Sequence, residues 1–170
     1  MASTSTLRAS SSSSSSSIPP WEYDAFLSFC GEDTRNRFTD HLHYALKLQG
    51  FNVFRDDEKL ERGKYVGDGL LKAIQESRYA IVIIYANYAS SKWCLIELVE
   101  ILECMRGPDT RVLPIFYRVN PSDVRNQTGT FAEAFARHEK DPKVDDDKMQ
   151  KWRAALREVG NIAGWYVDDG

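Results

Sequence analysis

From Tyr79 to Tyr85 the chain reads Tyr-Ala-Ile-Val-Ile-Ile-Tyr, apolar and β-branched with no polar break. Such a run suits a strand buried on both faces of a parallel sheet. Tyr23-Asp-Ala-Phe-Leu-Ser-Phe29 and Arg111-Val-Leu-Pro-Ile-Phe-Tyr117 are of the same kind, and Phe51-Asn-Val-Phe54 is a shorter one. Pro114 cannot donate to a ladder, so the Arg111 strand is expected to carry a bulge or a locally unpaired edge. Gly164-Trp-Tyr-Val167 is a candidate fifth strand.

Between these runs the period lengthens to that of a helix. Phe38, His41, Leu42, Ala45, Leu46 and Leu48 line one to about Gln49, where Gly50 stops it. Gly67–Ser77 forms a second, with Leu70, Leu71 and Ile74 inward. Leu95, Leu98, Val99 and Leu102 make the buried stripe of a third, which Ser90 or Ser91 caps and Gly107-Pro108 ends. After a structured loop over Asn120–Gly129, where Ser122 or Asp123 caps a turn, come a helical piece at Phe131–His138 and a helix at Lys148–Ile162. The latter carries Met149, Trp152, Ala155, Leu156 and Val159 on one stripe.

The order β-α-β-α-β-α-β-α-α-β with right-handed crossovers predicts an α/β fold. It is a flavodoxin-like, doubly wound parallel five-stranded sheet of order 2-1-3-4-5. Ligands bind such sheets at the carboxyl ends of the strands, where the strand order reverses. Here that point lies between the first and third strands. It gathers the Cys30–Arg35 turn and the start of the third helix, with Trp93 and Glu97, on one rim. Trp93 and Glu97 are four residues apart, so they share a face. An aromatic face and a carboxylate at a rim form a candidate site. The same residues also fit plainer roles, a lid on the core and a solvated acid near a helix start.

Composition changes the picture little. Of 170 residues, 42% are hydrophobic and 28% charged, which places the chain with ordinary globular domains. Net charge is -3 without a basic run, which argues against nucleic acid as the main partner. No apolar stretch approaches the roughly 20 residues that span a bilayer. Residues 1–20 are Ser-rich and lack an apolar signal region, so they read as a disordered leader, and 21–170 as one domain. The three cysteines, Cys30, Cys94 and Cys104, have no metal-ligand spacing and are expected to be free thiols in a reducing compartment.

Several of these stretches resemble one family. Tyr23-Asp-Ala-Phe-Leu-Ser-Phe-Cys-Gly-Glu-Asp-Thr-Arg35 is similar to the opening motif of plant Toll/interleukin receptor (TIR) domains. Phe54-Arg-Asp-Asp57 with Leu60 and Arg62-Gly63, Trp93-Cys-Leu-Ile-Glu-Leu98, Pro114-Ile-Phe-Tyr117, Pro121-Ser-Asp-Val-Arg125 and Gly164-Trp165 follow in the family's order. The resemblance is to the N-terminal domains of TIR-type nucleotide-binding, leucine-rich-repeat plant immune receptors. The serine-rich leader is similar to that of grapevine mildew-resistance receptors.

The resemblance implies an NAD⁺ hydrolase that acts on self-association, releases nicotinamide and ADP-ribose-type products, and leads to defence and cell death. Glu97 is then the catalytic residue. Gly31, Glu32, Asp33, Thr34 and Arg35 hold the substrate's phosphate and ribose, joined by Gly63, Ser91 and Trp93, and His41 serves self-association. NAD⁺ is a substrate, with no permanently bound cofactor and no metal. Partners are other TIR domains and, through nucleotide products, lipase-like immune signalling proteins, in the cytoplasm with the nucleus as a second compartment. The competing reading is a non-catalytic adaptor that works by TIR–TIR binding alone. On residues alone, Arg35 also fits a surface ion pair with Asp33, and Gly63 a simple turn. Asp56-Asp57 resembles the acid pair of a phosphoacceptor receiver, but follows the second strand rather than the first.

The chain departs from the family pattern at three places. Cys30 stands where the family has Arg, Tyr85 where it has small polar residues, and the family's last helix, expected after Trp165, is missing before Gly170.

Overall fold

The computed structural model describes residues 21–30, 37–55 and 68–168. The strands are β1 (Tyr23–Ser28), β2 (Val53–Arg55), β3 (Ser77–Ile84), β4 (Arg111–Tyr117) and β5 (Trp165–Val167). They form one sheet of order β2-β1-β3-β4-β5, every neighbouring pair parallel. This is the order expected from the sequence. The helices are α1 (Arg37–Leu48), α2 (Asp68–Gln75), α3 (Lys92–Cys104), α4 (Pro121–Asn126), α5 (Thr130–Glu139) and α6 (Asp146–Asn161). No described helix is long and apolar enough to cross a membrane.

The two-residue period of the strands sorts side chains to the two faces. Phe26, Ala80, Val82 and Ile84 pack with Leu95, Leu98, Ile101, Phe116, Trp152 and Leu156 in the larger core, on the side of α2, α3 and α6. Ala25, Leu27, Ile81, Ile83 and Ile115 pack on the other face with Phe38, Leu42 and Leu46 of α1. Residues Ala80 to Ile84 are all buried, so β3 is the two-faced central strand its composition demands.

Three local expectations are corrected. On α1, His41, Ala45 and Leu48 are exposed, because the packed stripe is Phe38, Leu42 and Leu46. Ser77 belongs to β3 rather than to α2, with its hydroxyl donating to the Ala73 carbonyl at 2.6 Å. The Asn120 turn is the N-terminus of α4, and Asn120 caps it by accepting from the Ser122 amide at 2.8 Å. Pro121 follows at the first helical position, where no amide proton is needed.

Pro114 makes no bulge. It pairs in register with Val82, and the β4–β5 ladder starts one residue later, at Ile115 and Trp165. A Cβ built on Gly164 would lie 2.3 Å from the Pro114 carbonyl oxygen and 2.8 Å from its Cγ. The polar edge of Pro114 thus faces Gly164, just before β5 begins, where no ladder donor is called for. Glycine is needed at 164 for this close approach.

Candidate functional site

The rim beyond the carboxyl ends of β1 and β3 is built by three pieces of chain. Ser28 ends β1 and is followed by Phe29 and Cys30. After β3 comes Tyr85, then a single 3₁₀ turn, Tyr88–Ser90. Helix α3 starts at once, with Ser91 as its N-cap: the Ser91 hydroxyl accepts from the Cys94 amide at 3.2 Å.

This places Glu97 one turn into α3, pointing back at the end of β1. It is 1% exposed, so it is no solvated surface acid. The Ser28 hydroxyl donates to Glu97 Oε1 at 2.5 Å. Tyr88 is fully buried beside this pair, its phenol donating to the Cys94 carbonyl at 3.2 Å. Burial, and next the negative charge of Glu97, push the Tyr88 phenol well above its ordinary pKa, against the bond with Ser28. Tyr85 packs edge-on against Tyr88, ring centroids 6.5 Å apart. A carboxylate in such a low-dielectric setting exerts a stronger field than one in water.

Trp93 is half-buried at the start of α3, and its indole N–H, itself buried, has no hydrogen-bond partner among the described residues. It is a donor that an incoming ligand could occupy. Ser91, Trp93 and Glu97 thus share one helix start. His41 lies apart from them, on the exposed stripe of α1 with Tyr44, Ala45 and Leu48. Gly31, Glu32, Asp33, Thr34, Arg35 and Gly63 lie outside the described residues, as do Asp56 and Asp57.

The cysteine expectation is corrected. Cys30 and Cys94 are joined as a disulfide, with Cα atoms 6.3 Å apart, and only Cys104 is a free cysteine among the described residues. A sequence separation of 64 carries no sign of this contact. It follows from the β1–β3 pairing, which sets the exit of β1 against the first turn of α3.

The support for the segment leading into α3 was not anticipated. Helix α5 holds it: Thr130 donates to the Ala86 carbonyl at 2.5 Å, and Arg137 to the Ser90 hydroxyl at 2.8 Å. His138 Nε2 lies 2.7 Å from the Ala89 carbonyl. A carbonyl only accepts, so Nε2 carries the proton. Lys92 pairs with Asp141 just after α5. The sequence did hold a signal for His138, because Phe131, Ala134, Phe135 and His138 follow the buried helical period and all four are buried.

Comparison with known proteins agrees with this architecture. The family model described as TIR domain matches residues 22–170. The disease resistance protein RPV1 of Vitis rotundifolia is 54% identical over 170 residues, 99% of this chain and 12% of that protein. The TMV resistance protein N of Nicotiana glutinosa is 52% identical over 151 residues, 89% of this chain and 13% of that protein. The chain therefore spans only a small part of the length of these relatives. Among solved structures, the TIR domains of the activated Roq1 resistosome, which directly recognises the pathogen effector XopQ, superpose with a TM-score of 0.76 at 50% identity. That match covers 85% of this chain and 87% of the Roq1 chain.

Proposed function

The chain belongs to the TIR domain family, and from that premise we propose that it is the signalling domain of a plant immune receptor and an NAD⁺ hydrolase with Glu97 as its catalytic carboxylate. The observation that carries the reading is the buried Ser28–Glu97 pair at the strand-order reversal of the sheet.

The chemistry needs little more than one well-held carboxylate. Nicotinamide leaves NAD⁺ as a neutral molecule from a cationic pyridinium, so no general acid is required. The ribose carbon left behind develops oxocarbenium character. A fixed negative charge nearby stabilises it more than it stabilises the ground state, which is what lowers a barrier. The same carboxylate can accept from ribose hydroxyls. Water then adds to the ribose carbon, giving ADP-ribose, nicotinamide and a proton. A second carboxylate, as in ordinary glycosidases, is not needed. In this reading Ser28 aims Glu97, and Trp93 bounds the nicotinamide-ribose end with its N–H, which has no partner among the described residues. Gly31 to Arg35 and Gly63 contact the rest of the nucleotide.

Other TIR domains are the proposed partners. The exposed stripe His41, Tyr44, Ala45 and Leu48 on α1, where Tyr44 is 65% and Leu48 67% exposed, supports self-association. The same stripe also favours the second reading, an adaptor that acts by TIR–TIR binding without chemistry.

The test is nicotinamide release from NAD⁺ by the purified chain at high concentration, beside Glu97→Ala and Glu97→Gln. Release by the wild type and none by either variant supports the hydrolase. Equal release by all three removes Glu97 from the mechanism. No release by any, at concentrations where light scattering detects association, favours the adaptor.

A further inference from the structure

Cys30 lies two residues beyond Ser28 at the exit of β1, and Cys94 three residues before Glu97 in α3. The sulfur link and the Ser28–Glu97 hydrogen bond therefore tie the same two elements together, side by side. Both cysteines are buried, at 4% and 3% exposure. Their Cα separation of 6.3 Å falls inside the range of about 4.4–6.8 Å that a disulfide spans.

The two sulfurs are not equivalent. Cys94 stands in the first turn of α3, held by its amide hydrogen bond to the Ser91 hydroxyl, while Cys30 follows the end of β1, and we take Cys94 as the attacking group. Cys104, at the far end of the helix, is a poor competitor. Its own burial, then Glu100 and Glu103, push its thiol up.

We propose that Cys30 and Cys94 form a reversible thiol–disulfide switch, closed by a hydroperoxide and opened by a dithiol, that pins the end of β1 to α3 beside Glu97. In closing, Cys94 sulfur attacks the peroxide's terminal oxygen. The O–O bond breaks, an alcohol or water leaves, and Cys94 becomes a sulfenic acid. Cys30 sulfur then attacks Cys94 sulfur, the S–S bond forms, and water leaves with the Cys30 proton. Two thiols lose two electrons and one hydroperoxide gains them. In opening, a dithiol exchanges through a mixed disulfide and is itself oxidised. The proposal holds whether Glu97 is catalytic or not.

The probe is hydrogen peroxide on the fully reduced chain, removed with catalase before measurement. Denatured thiol titration should fall from three thiols, the cysteine count of the chain, to one, with Cys30 and Cys94 cross-linked in the peptide map. Tm should rise by roughly 5–15 °C and return to its starting value with dithiothreitol. Amide exchange should slow in peptides covering residues 24–30 and 92–98. Cys104→Ser should keep all three changes, while Cys30→Ser and Cys94→Ser should lose them. A thiol count that stays at three, a cross-link through Cys104, or a Tm gain that survives in Cys30→Ser overturns the proposal. The wild-type cycle of oxidation and reduction decides the matter even if a cysteine variant fails to fold.

Discussion

The hydroxyl of Ser28 reaches the carboxylate of Glu97 across 69 residues of sequence and meets it at 2.5 Å, with both side chains buried. One residue ends a strand and the other lies on the helix after the central strand. The parallel pairing of β1 with β3, with Ser28 opposite Val82, brings them together. Removing one partner of a buried hydrogen bond to a carboxylate is costly, because water does not replace the lost contact there. Ser28→Ala should therefore lower kcat/KM for nicotinamide release roughly tenfold to a hundredfold, corresponding to about 1.5–3 kcal/mol. Ser28→Thr keeps the hydroxyl and should lose less. Equal losses for Ala and Thr would show that volume at this site matters and the hydrogen bond does not.

Gly164 and Gly160 make a second pair of tests. At Gly164 an added Cβ meets the Pro114 backbone at 2.3 Å, and no side-chain rotation relieves that. Gly164→Ala should destabilise by about 1–3 kcal/mol. At Gly160, inside α6, the added Cβ lies 2.7 Å from the Arg125 amide nitrogen. Alanine there gains about 1 kcal/mol of helix propensity, which offsets part of the clash. The loss for Gly160→Ala should accordingly be the smaller. Thermal unfolding of both variants checks the order.

His138 should be structural. Replacing it by Phe keeps a ring against Phe135 and Trp152 but removes the donor to the Ala89 carbonyl. The cost should be about 1–3 kcal/mol, since a buried carbonyl is left without its partner. Urea unfolding measures it, and a change within 0.5 kcal/mol, the range of about ±0.5 kcal/mol seen for neutral surface substitutions, would show that the bond contributes nothing.

Asp141 gives a pH test. Its hydrogen bond from Lys92, followed by one from the Lys143 amide, holds its carboxyl below the usual aspartate value of 3.8. A folded-state value below the unfolded one means the unfolded chain binds the proton first. The contribution is then present above about pH 4 and lost as the pH falls through the folded value. Asp141→Asn should lower Tm at pH 7 and match the wild type near pH 2. A Tm difference that is constant with pH would assign the effect to packing instead.

How much of this was legible beforehand depends on the range of the interaction. The β-branched run before Tyr85, the Ser91 cap and the apolar stripe of α3 rest on contacts within a few residues, so period and end signals sufficed. The sheet order followed from the alternation of elements and the handedness of crossovers, and it set the exit of β1 beside the start of α3. Local pattern misjudged α1, because His41 and Leu48 are as compatible with an apolar stripe as Phe38 and Leu42 until the sheet selects one face. Of the two outcomes expected for Pro114, a bulge or a locally unpaired edge, the structure has the second, because β5 starts one residue late.

The sequence by itself determined the element order, the parallel sheet and the placing of Glu97 on a rim, because helix and strand periods and chain handedness act locally on any chain. Only the tertiary structure decided that Glu97 is buried, that Ser28 is its donor, that Cys30 lies against Cys94, and that His138 secures the approach to α3. The last three each join residues 49 or more positions apart. Such pairs are made by how the layers pack, and no short stretch of residues encodes them on its own.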